Sequence, residues 1–171
     1  DALKTQPDKV EGLLEKITEQ SSSLMENMND MVWSMKTDED AMTLDTRLKN
    51  YGAELLTVKE IHCSYTIEED CFKLFSGYEQ RKNILLFFKE AMNNVAKYSL
   101  ATKVEIVFKQ QPNKTVLMSV ADNGKGFDPA TVNHGNGLKN LKSRVTSLKG
   151  NLHILEAPEK GVGITAILPV P

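Results

Sequence analysis

The chain has 171 residues, enough for one domain with a sizeable core plus an extension. Lys and Arg total 21 against 23 Asp and Glu, a net charge of −2, so net charge points to no polyelectrolyte partner such as nucleic acid. The two cysteines, Cys63 and Cys71, have no CxxC spacing and no His-rich neighbourhood, which argues against a disulfide framework or a zinc site and for reduced cytosolic thiols. No apolar run reaches the roughly 18 residues of a membrane span, and no signal peptide is visible. The start, Asp1-Ala2-Leu3, reads as a cut inside a longer chain whose upstream part could hold a membrane segment.

Residues 8–35 carry a sustained heptad. Val10, Leu14, Ile17, Ser21, Leu24, Met28, Met31 and Met35 alternate in steps of four and three, which keeps one apolar seam on one side of a long helix. Four heptads point to a dimer or bundle helix; the plainer alternative is a helix packed on its own domain. Thr37-Asp38-Glu39-Asp40 should end this helix and cap the next. That next helix shows Leu44, Leu48, Tyr51 and Leu55 at helical spacing. From Ile61 the period becomes two: Ile61, Cys63, Tyr65 and Ile67 share one face of a half-buried strand.

A helix over 80–99 follows, with Ile84, Leu85, Phe87, Phe88, Ala91, Met92, Val95 and Ala96 on a wide apolar stripe. Strands are expected over 103–110 and 115–121, joined at Gln111-Pro112-Asn113 and antiparallel. A glycine-rich loop leads to a helix from about Leu138 to Leu148, stopped by Gly150. Residues 151–156 and 164–168 close the chain as a hairpin around Pro158-Glu159-Lys160-Gly161. Strands paired mostly as hairpins, with helices on one face, make an α+β two-layer sandwich.

The chemistry gathers at three places. Asp122 ends an apolar strand and opens Asp122-Asn123-Gly124-Lys125-Gly126-Phe127. An ionised carboxylate only accepts hydrogen bonds, so it suits the exocyclic amino group of adenine and rejects the carbonyl of guanine. Gly124 and Gly126 let backbone approach a base closely; alone, Asp-Asn-Gly is also an ordinary turn. Glu90 and Asn94 lie four apart on one helix and share a face. Asn94 offers an amide oxygen to Mg²⁺, which takes few protein ligands. Glu90 could orient or deprotonate an attacking group, and Lys97 could meet phosphate as a point charge. Alone, these three also read as a solvated helix face. Gly135-Asn136-Gly137 opens the helix at Leu138, where unpaired N–H groups attract phosphate. Neither GxGxxG nor GxxxxGK[ST] is present. Asn140 sits where it could face the nucleotide, Arg144 reads as a structural ion-pair partner, and residues 128–136 read as a lid. His134 in that loop reads as solvated, and His62 and His153 as ordinary strand residues.

In this order the elements resemble the ATP-binding domain shared by sensor histidine kinases, gyrase, large heat-shock chaperones and mismatch-repair ATPases. Glu90 and Asn94 look like that superfamily's N box. Residues 122–127 look like its first glycine box, and Gly135-Asn136-Gly137-Leu138 like its second. Asn136-Gly137-Leu138-Lys139-Asn140-Leu141-Lys142-Ser143-Arg144 is similar to the kinase branch, and to the NarX/DesK-like subfamily in particular. The match covers residues 60–171.

The resemblance implies the Bergerat ATP-binding fold, with a mixed, mostly antiparallel sheet, over residues 37–171. Residues 1–36 would then be the second helix of a dimerisation hairpin. It implies an ATP site formed by Asn94, Lys97, Asp122, Asn123, Gly124, Gly126, Gly135, Gly137, Leu138, Asn140 and Gly161, with Mg²⁺ on Asn94 and Glu90, Asn94 and Lys97 as the catalytic group. It implies transfer of the γ-phosphate to a histidine and onward to an aspartate of a response regulator with a helix-turn-helix output. The chain would be the cytoplasmic portion of a membrane-bound bacterial sensor. It would form homodimers through its first helix and touch neither nucleic acid nor membrane itself. Three departures stand out: Tyr98 where many members have His, Val162 where Thr or Ser is usual, and no phosphoacceptor motif of the ExxRxxRxLHD kind around any of the three histidines. Without that histidine the chain should not autophosphorylate alone. Two other readings are an anti-sigma-factor-type serine kinase and a degenerate nucleotide-sensing or dimerisation module.

Overall fold

A computed structural model describes residues 7–35, 43–126, 136–156 and 161–170. The chain divides into two units, residues 1–41 and residues 42–171. In the first, α1 (Pro7–Met35) runs for 29 residues, as the heptad predicts. Among the described seam residues, Leu14, Ile17, Leu24 and Met28 are each more than half exposed. A stripe of this kind loses contact with water only when another surface covers it.

The second unit runs α2 (Leu44–Thr57), β1 (His62–Ile67), α3 (Glu69–Lys73), α4 (Tyr78–Asn94), a π turn (Val95–Ser99), β2 (Lys103–Gln111), β3 (Thr115–Asp122), α5 (Asn136–Ser147), β4 (Asn151–Glu156) and β5 (Val162–Pro169). The five strands lie in the order β1-β2-β3-β5-β4. β1 and β2 are parallel, because α3 and α4 carry the chain back between them. The other pairs are antiparallel, so the expected two-layer α+β sandwich is the fold observed.

The register puts one face inside. Val104, Ile106 and Phe108 of β2 stand opposite Asp122, Val120 and Met118 of β3. Val116, Met118 and Val120 in turn oppose Leu168, Ala166 and Ile164 of β5. All are buried. Against this face α4 buries Ile84, Leu85, Phe87, Phe88, Ala91 and Met92, and α5 buries Leu141 and Val145. Phe108 is the hub: its ring centroid lies 6.2 Å from that of Phe75 and 6.1 Å from that of Phe88, tilted and edge-on. The outer sheet face is mixed, with Glu105 and Lys109 exposed.

Several details differ from the sequence expectations. The cap of α2 is Thr43, whose Oγ1 accepts the Thr46 N–H at 3.3 Å; the acidic cluster 37–40 lies outside the described residues. The buried stripe of α2 is Leu44, Leu48, Gly52 and Leu56, so Leu55 turns half out. Gly52 fits there because a Cβ would fall 2.2 Å from Tyr65 Oη of β1. The short helix α3 was not foreseen. The predicted helix over 80–99 is α-helical only to Asn94 and then widens into the π turn, and β5 begins at Val162 rather than Ile164.

Both thiols are free, Cys63 half-buried and Cys71 buried. Burial, reinforced by Glu68, pushes the Cys71 thiol up to about 11, which leaves it un-ionised and unreactive at neutral pH. Among the described residues no helix is long and apolar enough to cross a membrane.

Because Phe108 joins the α4 and α3 sides of the core, Phe108→Ala should destabilise the second unit by about 3–5 kcal/mol. The measurement is the urea unfolding midpoint, and a loss under about 1 kcal/mol would place the hub elsewhere.

Candidate functional site

Asp122 closes β3 on its buried face, two residues beyond Val120 and across from Val104. It is only 7% exposed. Burial therefore pushes its carboxyl above the ordinary carboxylate range, and backbone N–H groups of Gly124 and Val162 oppose the shift. The Gly124 N–H donates to Oδ1 at 2.8 Å. A carboxylate kept this dry, at the open end of an apolar face, is an acceptor waiting for a donor.

Backbone closes in around it. A Cβ on Gly161 would lie 1.7 Å from the Asp122 carbonyl oxygen, and one on Gly124 would lie 2.2 Å from that of Ser99. Only glycine permits either approach. Ser99 ends the π turn, where its Oγ donates to the Val95 carbonyl at 2.7 Å and accepts from the Ala101 N–H at 3.0 Å. Its own carbonyl accepts the Lys125 N–H at 2.9 Å. The glycine loop after β3 is thus fastened to the end of the α4 segment. Widened turns of this type recur at functional sites.

The second wall is the Glu90/Asn94 face of α4. A Cβ on Gly137, in the first turn of α5, would fall 2.6 Å from Glu90 Oε1 and 3.5 Å from Asn94 Oδ1. The start of α5 therefore rests on these two side chains, and the Glu90 carboxylate lies at the positive end of the helix. Further along α5, burial pulls the Arg144 guanidinium below its ordinary value, and the charge of Glu90 opposes that pull. Among the described residues Arg144 Nε is buried without a hydrogen-bond partner.

The sequence-picked residues thus fall into groups. Glu90, Asn94 and Gly137 meet directly. Asp122, Gly124 and Gly161 form the dry end of the sheet, and Gly126 adopts φ 85°, a left-handed turn open to glycine. Lys97 is exposed on the π turn, Asn140 is exposed on α5 and Leu138 is half-buried. Asn123, expected at the nucleotide, is used within the protein. Its Oδ1 accepts the N–H groups of Thr102 and Lys103 at 3.0 and 2.8 Å, and its Nδ2 donates to Thr102 Oγ1 at 3.1 Å, tying the start of β2 to the end of β3. Gly135, Phe127, His134 and the expected lid up to residue 135 lie outside the described residues, while Asn136 opens α5. Tyr98 is exposed and Val162 is half-buried on β5. Sequence reasoning missed Ser99, since a carbonyl leaves no side-chain signal, and it gave Arg144 no place near Glu90. A separate cleft between α5 and β4, lined by Lys142, Thr146, Asn151 and His153 among others, shares none of the site residues.

The buried carboxylate at the end of β3 and the Glu/Asn face of α4 against Gly137 lie in a two-layer sandwich without a P-loop or dinucleotide-binding motif. The profile of the histidine kinase-, DNA gyrase B-, and HSP90-like ATPases matches residues 79–171, and the chain belongs to that family. It carries the ATP-binding catalytic domain of two-component sensor histidine kinases. Over 96 residues it is 34% identical to the signal transduction histidine-protein kinase/phosphatase DegS of Brevibacillus brevis, covering 54% of this chain and 25% of DegS. Over 101 residues it is 32% identical to the sensor protein VraS of Staphylococcus haemolyticus, covering 58% and 28%. The chain thus spans about a quarter of the length of these curated relatives. In fold it is similar to the histidine kinase domain of the blue-light activated kinase EL346 of Erythrobacter litoralis. The TM-score is 0.65 at 12% identity, covering 92% of this chain and 86% of that one. The histidine kinase AdeS of Acinetobacter baumannii gives a TM-score of 0.64 at 14% identity, covering 94% and 83%.

A carboxyl raised in the folded state contributes stability that is complete below its ordinary value of 3.8 and is lost as pH rises through the folded value. Asp122→Asn keeps an acceptor for Gly124 and cannot ionise. Its stability relative to wild type should therefore increase between about pH 3.5 and about pH 7. Urea midpoints at both ends would check this; a difference that does not change with pH would mean the carboxylate is well solvated.

Proposed function

We propose that this chain binds ATP·Mg²⁺ and works as the catalytic half of a two-component sensor histidine kinase. The γ-phosphate would pass to a histidine carried elsewhere in the protein and then to an aspartate of a response regulator. The observation that carries this is the seating of Gly137 against Glu90 and Asn94, which joins the second glycine segment to the N-box face.

The residues fit the nucleotide. The space beside Glu90 and Asn94 would be filled by any side chain at position 137. Asp122 accepts the adenine amino group, and its desolvation makes a ligand without that donor costly. Asn94 supplies the amide oxygen for Mg²⁺. Glu90, held among the start of α5, Arg144 and Asn94, orients or receives a proton from the attacking group. Lys97 and the N–H groups of the first turn of α5 hold phosphate. Bound ATP·Mg²⁺ supplies the transferable phosphoryl group, and the protein contributes positioning and charge stabilisation.

Residues 1–36 read as the second helix of a dimerisation hairpin, and residues 37–171 as the catalytic domain. The bare seam of α1 supports pairing with a partner helix and a second subunit. None of His62, His134 and His153 has a phosphoacceptor context, so the 171-residue chain should not label itself. The parent would be a bacterial membrane sensor with this part in the cytoplasm.

Thermal unfolding with a non-hydrolysable ATP analogue and Mg²⁺ tests the reading. At a hundredfold over its dissociation constant the ligand should stabilise the fold by about 2.7 kcal/mol, a shift of several degrees. GTP should give no shift, and Asp122→Ala should abolish the ATP effect. No shift at millimolar ATP would favour a degenerate module. Phosphate transfer to a serine of an added protein substrate, with none to a histidine-bearing helix, would favour the serine-kinase reading.

A further inference from the structure

The helix that carries the N-box face is gripped from a second side. Lys89 and Asn93 each immediately precede a site residue, Glu90 and Asn94, and are four apart as those are. One residue is about 100° of helical rotation, so the two pairs occupy adjacent faces of α4. Both members of the outer pair reach the same side chain on α2. Asn93 Nδ2 donates to Tyr51 Oη at 2.7 Å. Lys89 Nζ lies 4.5 Å from the centroid of the Tyr51 ring, and Lys89 is only 9% exposed.

Apolar packing alone would fix the rotation of α4 loosely. Its sheet-facing stripe is wide, and Phe87 and Phe88 are adjacent residues whose rings meet at 86°. A directional bond from Asn93 and a ring against Lys89, one turn apart, add a rotational stop. Tyr51 is itself held firm, since Leu48 and Gly52 on the same helix are buried and Gly52 touches Tyr65 of β1. We propose that Tyr51 is a positioning residue that sets the rotation of α4 and thereby aims Glu90 and Asn94 at the metal-bound phosphates. The proposal rests on the nucleotide reading above. It goes beyond that reading by giving a residue outside the site, on α2, control over the Mg²⁺-dependent part of binding.

The test separates Mg²⁺-dependent from Mg²⁺-independent affinity. A non-hydrolysable ATP analogue is titrated calorimetrically into the 171-residue chain, once with Mg²⁺ and once with EDTA. In wild type, Mg²⁺ should tighten binding through Asn94, while the EDTA value reports Asp122 and the glycine segments. Tyr51→Phe keeps the ring and loses the hydroxyl. It should reduce the Mg²⁺ enhancement by about threefold to tenfold and leave the EDTA affinity within about twofold. Asn93→Ala should do the same, and the double variant should lose no more than either single one, because one bond is removed in all three. Tyr65→Phe, a second phenol near α2, should leave both affinities at the wild-type values.

An enhancement in Tyr51→Phe and Asn93→Ala equal to wild type, whatever happens to their melting temperatures, would overturn the proposal and leave the nucleotide reading standing. A wild-type chain that binds no nucleotide would overturn both. Equal losses with Mg²⁺ and with EDTA would show general loosening of the fold and also overturn it.

Discussion

One buried carboxylate organises this protein. Asp122 sits at the end of a face that is otherwise Val, Ile, Met and Phe, where an uncompensated charge is expensive. The chain meets that cost with backbone. The Gly124 N–H reaches Oδ1, and glycines at 124 and 161 let the neighbouring segments come closer than any side chain would permit. The same closeness pins the end of the α4 segment, because Ser99 meets Gly124 and Lys125 through its carbonyl.

α4 is the common wall of everything else. One side packs its aromatic and aliphatic residues on the sheet, one meets Gly137 of α5 through Glu90 and Asn94, and one meets Tyr51 of α2 through Lys89 and Asn93. Apolar burial supplies most of the stability but little direction. The polar contacts add less energy and more geometry. The proposed phosphoryl transfer would need that geometry, since such catalysis rests on holding charges in fixed places.

The first unit follows a different logic. α1 exposes Leu14, Ile17, Leu24 and Met28 along its seam, so its stability as a helix depends on what covers them. Ser21 in mid-seam and the methionines at 28, 31 and 35 would leave such a pairing able to repack.

Much was legible in the sequence, for physical reasons. Heptad spacing marked α1, period-two runs marked the strands, and the order of a Glu/Asn pair, an acid, a glycine loop and a second glycine loop marked the candidate site. Each of these is a local pattern, and local patterns survive in one dimension. What the sequence could not decide were matters settled by contact between distant segments. The cap at Thr43, the stripe through Gly52 and the widening of the helix after Asn94 depend on what each helix packs against. The side chain of Asn123 ties Thr102 and Lys103, about twenty residues earlier, because strand pairing brings their N–H groups to it, a contact that leaves no local pattern. Tyr51 looked like one apolar step of a helix. Only the packing of α2 on α4 turned its hydroxyl and ring toward the residues that flank the site, since contacts across separate elements leave no periodic trace in the chain.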